Sequence, residues 1–79
     1  MLLDAIRRNF PSNAKAAERL LAEWKKVDRT ARKIGVNSLA TKLGELGRGR
    51  TEWWIRRPGL IQLLADLLET SVPDLLGRR

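Results

Sequence analysis

Between residues 48 and 57 the chain reads RGRTEWWIRR, which places four arginines, a threonine hydroxyl and two adjacent tryptophans within ten residues. These side chains recognise; they do not react. A guanidinium is permanently charged and presents its N–H donors as a planar fork that fits a phosphate or the edge of guanine. A tryptophan offers a flat face that stacks on a base or anchors a protein partner. The means for covalent chemistry are missing. The sequence has no His and no Cys, so it can form no disulfide, no Cys or Cys/His zinc site and no His-based acid/base pair or triad. Glu45 and Glu52 have no acidic partner at a spacing that would make a catalytic pair, and GRGR lacks the Lys-Ser/Thr that completes a Walker loop. The expectation is a binding module that is not an enzyme, with no cofactor and no metal.

The charge balance points the same way. Seventy-nine residues carry 16 basic and 9 acidic side chains, a net +7. The partners this implies are nucleic acid or another polyanion, with a membrane surface open on charge alone. The basic character is unevenly placed: residues 1–57 hold +8 and residues 58–79 hold −1. No segment approaches the ~18 apolar residues of a membrane-spanning helix. Asp4, Arg7 and Arg8 interrupt the opening apolar stretch, so it does not read as a signal peptide, and a cytoplasmic location is expected.

Helices must position these groups, since β-branched residues are sparse and nothing alternates with period two. Leu2, Leu3, Ile6 and Phe10 make a short first helix that ends at Pro11–Ser12. Ser12 or Asn13 caps a long second helix over about residues 13–34, with Leu20, Trp24, Val27, Ala31 and Ile34 as one buried stripe and Gly35 as its terminator. Lys25, Lys26, Arg29, Arg32 and Lys33 then share a basic face of that helix, either solvated or set against phosphates. Asn37 or Ser38 starts a third helix with Leu39, Ala40 and Leu43 inward. The Gly44, Gly47 and Gly49 cluster ends it. A short helix, RTEWWIRR, stops before Pro58. The apolar stretch GLIQLLADLLE then buries Leu60, Ile61, Leu64, Leu67 and Leu68, and Ser71 with Asp74 caps a last turn. Neighbouring residues on a helix point about 100° apart, so one of Trp53 and Trp54 belongs to the core and the other is partly exposed.

The order of L-A-x-x-L-G, a glycine-containing turn, a short helix with Trp, then Arg-Pro and a leucine-rich helix resembles the lambda-repressor-like helix-turn-helix family over about residues 36–77. Leu39, Ala40, Leu43 and Gly44 match the first motif helix, and Trp53 or Trp54 the aromatic that ends the second. Pro58 and LIQLLADLLETSVPDLL match the closing helices. The resemblance implies a small Ala40 at a close helix approach and a left-handed turn at Gly44. It also implies a recognition helix at Arg50–Arg57 in the major groove of double-stranded DNA. Arg48, Arg50 and Thr51 would stand at its entrance beside base edges. Arg56, Arg57 and Lys42 would reach phosphates, with Lys33 on the neighbouring basic face and the helix-start N–H groups adding a further grip. Six positions after Gly44 the family places an apolar residue, and here stands Arg50. A longer turn, GELGRGR, with Leu46 inward and Trp53 buried, accommodates it and displaces the second helix.

The expected fold is all-α, a compact bundle of five or six short helices containing a helix-turn-helix. Residues 1–35 form the N-terminal helices, 36–57 the motif and 58–77 the support. The expected function is DNA binding of the transcription-regulator type, by a homodimer or as part of a larger chain, for which Arg78–Arg79 would mark a domain edge. Eight phosphate contacts would give a salt slope of about −7. The alternative is a helical adaptor that binds a protein partner.

Overall fold

A computed structural model describes residues 2–77, with side-chain surroundings from Ile6 onward. The Leu2 and Leu3 side chains and Arg78–Arg79 lie outside the described residues. Among the described residues every regular element is helical: α1 (Leu2–Asn9), α2 (Asn13–Val27), a 3-10 turn (Arg29–Lys33), α3 (Val36–Gly47), α4 (Glu52–Ile55), α5 (Pro58–Leu67) and α6 (Val72–Leu75). The architecture is all-α. Among the described residues no helix is long and apolar enough to cross a membrane.

Local chemistry accounts for most of the boundaries. Ser12 caps α2, its hydroxyl accepting from the Lys15 N–H at 3.2 Å, as expected. The far end of α2 differs from the expectation. The helix stops at Val27 instead of running to residue 34, and Val27 is 73% exposed, outside the core stripe assigned to it. Asp28 is the cause. Its backbone turns extended, and its carboxylate accepts from the Thr30 N–H at 2.9 Å and the Thr30 hydroxyl at 2.7 Å. A short side chain that bonds the backbone two residues on competes with helix propagation and starts a new turn. The basic run from Lys25 to Lys33 is therefore split between α2 and the 3-10 turn and is not one helix face.

The glycine cluster also behaves differently from its reading. Helix α3 opens at Val36, after Gly35, and runs through Gly44 and Gly47. The left-handed residue is Gly49, at φ +86°, and not Gly44. Around it the Arg50 N–H donates to Glu45 O at 2.9 Å and the Gly49 N–H to Leu46 O at 3.0 Å. This is the paired bonding of a Schellman cap, whose C′ position favours glycine. One left-handed residue satisfies the orphan carbonyls of α3, so a helix twice the expected length is stable. The end of α5 repeats the device without glycine. The Thr70 N–H donates to Ala65 O at 2.9 Å, and Glu69 holds the left-handed position at φ 54°.

The core is drawn from every helix. Ala16, Ala17, Leu20, Leu21 and Trp24 of α2 meet Leu39, Leu43 and Leu46 of α3. Leu60, Ile61, Leu64, Ala65 and Leu68 from the α5 segment close over them, with Ile6 and Leu75 at the ends. Leu67, expected inside, is half-buried, and Ala40 packs at the core's edge rather than at its centre. Trp54 has no exposed surface. Its indole N–H donates to Lys42 O at 3.0 Å, so the largest core side chain also ties α4 to α3. Ser71 caps α6 as expected, accepting from the Asp74 N–H at 3.3 Å, and Pro73 stands in the first turn, where its missing N–H costs little.

Candidate nucleic-acid interface

The turn between α3 and α4 carries the clustered arginines to the surface. Arg48 is the C-cap of α3, and Arg50 and Thr51 follow the left-handed Gly49. Thr51 is half-buried and precedes α4 without making a side-chain cap bond. Arg48, Arg50 and Arg56 are exposed. Only Glu52–Ile55 are helical in the stretch expected as the helix Arg50–Arg57. At 1.5 Å per residue that is about 6 Å of helix. Two neighbours shorten it: the Schellman cap extends α3 to Gly47, and Pro58 starts α5 with Arg57 as its N-cap. A single turn also lacks the aligned N–H groups for the helix-start phosphate grip expected there.

Trp53 is the centre of the cluster. The longer turn was expected to bury Trp53; in the structure Trp54 is buried and Trp53 half-exposed. The two rings meet edge to face at 5.0 Å between centroids and 77° between planes. The Arg57 guanidinium lies 4.1 Å from the Trp53 ring centroid, and its Nη1 donates to Trp53 O at 3.0 Å. The Lys42 ammonium approaches the same ring at 5.8 Å while paired with Glu45 at 3.3 Å. Two shallow grooves flank the indole. One is bordered by Lys42, Glu45, Arg50, Thr51 and Glu52, the other by Glu52, Arg56 and Arg57. Leu46 is inward, as the longer turn requires.

The pattern of ion pairs decides which cations are available. Among the described residues the acids pair with Lys15, Arg19, Lys26 and Lys42, each within its own helix. No carboxylate lies within 4.0 Å of Arg48, Arg50, Arg56 or Arg57 among these residues. The arrangement thus brings Arg50, Thr51, Arg56, Arg57 and Lys42 together around Trp53, with Arg48 in the same turn. Lys42, expected on phosphate, is half-buried and already neutralised by Glu45. Lys33 stands apart on the 3-10 turn, exposed and packed with that turn on α2.

A further groove runs behind the arginines, where Arg56, Arg57 and Pro58 face Trp24, Val27 and Thr30. Asp28 borders it, and the two Thr30 hydrogen bonds hold its carboxyl below the ordinary value, against a small opposing effect of desolvation. Sequence reasoning missed this groove, because Val27 sits at core spacing and only the break at Asp28 turns it outward. The other miss was the role of Trp53 as a support for Arg57. The signal that was present is the i, i+4 spacing of the two residues. Among the described residues no group of His, Cys, Asp or Glu could hold a metal ion.

Comparisons with known proteins leave the site to be read on its own chemistry: no family model, no curated protein and no solved structure matches this chain.

Proposed function

We propose that the domain binds double-stranded DNA as a helix-turn-helix module of the lambda-repressor-like kind, in a transcription regulator. The observation that carries the reading is the group of arginines without carboxylate partners around the α3–α4 turn. Unpaired guanidiniums on a domain whose first 57 residues hold +8 are an electrostatic footprint for a polyanion. In this account α3 and α4 are the motif helices. Arg50 and Thr51 at the start of α4 face base edges, and Arg48, Arg56 and Arg57 hold the backbone. With only one turn in α4, backbone contacts supply most of the affinity and base contacts are few. Lys33, beside Arg29 and Arg32 on the 3-10 turn, adds flanking phosphate contacts. A homodimer would address half-sites ~34 Å apart, one helical turn of the duplex.

The test is the double variant Arg50→Glu with Arg56→Glu. Both side chains are exposed, so the fold is retained, and duplex binding at low salt is lost. Retained binding overturns the reading. A second reading, a protein adaptor, is favoured by Val27, 73% exposed in the groove that Arg56 and Trp24 share, and by the 47% exposed Ile55. In that case Val27→Asp abolishes capture of the partner while the Arg50/Arg56 variant does not. Under the DNA reading Val27→Asp weakens duplex binding only slightly.

A further inference from the structure

We infer that Trp53 and Arg57 form a preorganised phosphodiester site, in which the indole is a positioning residue and the guanidinium is the ligand-binding group. This deepens the DNA reading above and rests on it. Two independent contacts hold Arg57: the stack on the indole at 4.1 Å and the bond from Nη1 to Trp53 O at 3.0 Å. A guanidinium has five N–H donors, and this bond uses one. Arg57 borders both the groove beside Glu52 and Arg56 and the groove that reaches Trp24. Its free donors therefore open onto concave surface, with exposed Arg56 beside them. Glu52 is the one acid bordering the first groove and Asp28 the one bordering the second, and neither pairs with Arg57.

A free arginine loses rotamer entropy when it docks on a phosphate, whereas a stacked and hydrogen-bonded one has already lost it. The fork can then donate to two oxygens of one phosphodiester in a bidentate contact. The ligand class is the phosphodiester backbone of the duplex proposed above, because the guanidinium covers the Trp53 face that would otherwise stack on a base, and exposed Arg56 adds a second charge beside the fork.

The test measures affinity for a short mixed-sequence duplex across a series of salt concentrations, for the wild type and four variants. Trp53→Leu keeps the Arg57 charge and removes its support. Affinity falls about tenfold, and the slope of log K against log salt stays as in the wild type. Arg57→Lys, a mild change in a half-exposed side chain, gives the same pair of results, because charge remains and the fork is lost. Arg57→Ala lowers affinity and also reduces the slope by about 0.9, one phosphate contact. Trp53→Phe, which keeps an aromatic face, recovers most of what Trp53→Leu loses. A wild type that binds with a steep slope, while Trp53→Leu and Arg57→Lys bind as tightly as it does, overturns the platform and leaves the DNA reading standing. A wild type with no salt-dependent binding overturns both. Helical circular dichroism of each variant accompanies the titration, and Arg57→Lys decides the matter if Trp53→Leu does not fold.

Discussion

Replacing each of the adjacent tryptophans by Phe in turn asks which one the core depends on. Trp54 is fully buried and donates to Lys42 O at 3.0 Å. Complete truncation of such a residue to Ala costs about 3–5 kcal/mol. Phe retains much of that packing, so the cavity left by the missing part of the indole costs about 1–2 kcal/mol. The lost hydrogen bond adds about 1 kcal/mol. The total, about 2–3 kcal/mol, compares with about 4–12 kcal/mol for the whole stability of a domain this size. At about 4–8 °C per kcal/mol, the Trp54→Phe midpoint drops by roughly 10–20 °C. Trp53 is half-exposed, and its cation contacts are of the exposed kind, worth about 0.5–1 kcal/mol. Trp53→Phe therefore moves the midpoint by only a few degrees. Thermal unfolding followed at the helical circular dichroism band measures both. Equal losses, or a larger loss for Trp53→Phe, would refute the placement of the two rings, and with it the α3–α4 geometry from which the arginine cluster follows.

Gly44 within α3 and Gly49 just beyond its end give an opposed pair of outcomes in urea denaturation. Gly44→Ala stabilises by up to about 1 kcal/mol, because the site is helical and an added methyl meets nothing closer than Asn13 Nδ2 at 3.9 Å. Gly49→Ala costs about 1–2 kcal/mol at φ +86°. By the same argument Glu69→Gly stabilises by about 1 kcal/mol, since glycine suits the left-handed position that Glu69 holds at φ 54°. The Asp28 carboxyl titrates below its ordinary value of 3.8 because Thr30 bonds its charged form. A lowered folded-state value means that this contribution is complete above the unfolded-state value and is lost as pH falls through the folded one. Asp28→Asn, which can still cap the 3-10 turn, lacks that acid-dependent component, and denaturation curves across the acid range for both proteins check it.

The apolar spacing made most of the helices legible. Leu20, Trp24, Leu39, Leu43, Leu60, Ile61 and Leu64 all enter the core as their periodicity requires. The caps at Ser12 and Ser71 were readable because their side-chain chemistry is local. The boundaries that were misread share a cause, a competition that periodicity does not weigh. At Asp28 a side-chain bond to Thr30 outcompetes a helix whose apolar stripe continues to Ile34. In α3 the surrounding core holds Gly44 and Gly47 helical in spite of their low propensity, and the turn falls to the glycine at which a Schellman cap can close. The arginines of the site were named from the sequence, but their state was not. Lys42 and Arg57 look equivalent as letters. One is neutralised by Glu45, and the other is stacked on Trp53 with no carboxylate within 4.0 Å among the described residues. That difference depends on the turn geometry, which one misplaced glycine is enough to change.

The central claim is that the unpaired arginines around the α3–α4 turn grip duplex DNA. The most direct test is the salt dependence of wild-type affinity for a short duplex. Four phosphate contacts, from Arg48, Arg56 and Arg57 with Lys33 at the flank, predict a slope of log K against log salt between about −3 and −4. This is shallower than the −7 of eight contacts, because Lys42 is already paired and Arg50 is turned to the bases. A slope in that range that flattens by about 0.9 in the Arg56→Ala variant, with binding lost in Arg50→Glu/Arg56→Glu, supports the claim. An affinity indifferent to salt, or no duplex binding at low salt, contradicts it.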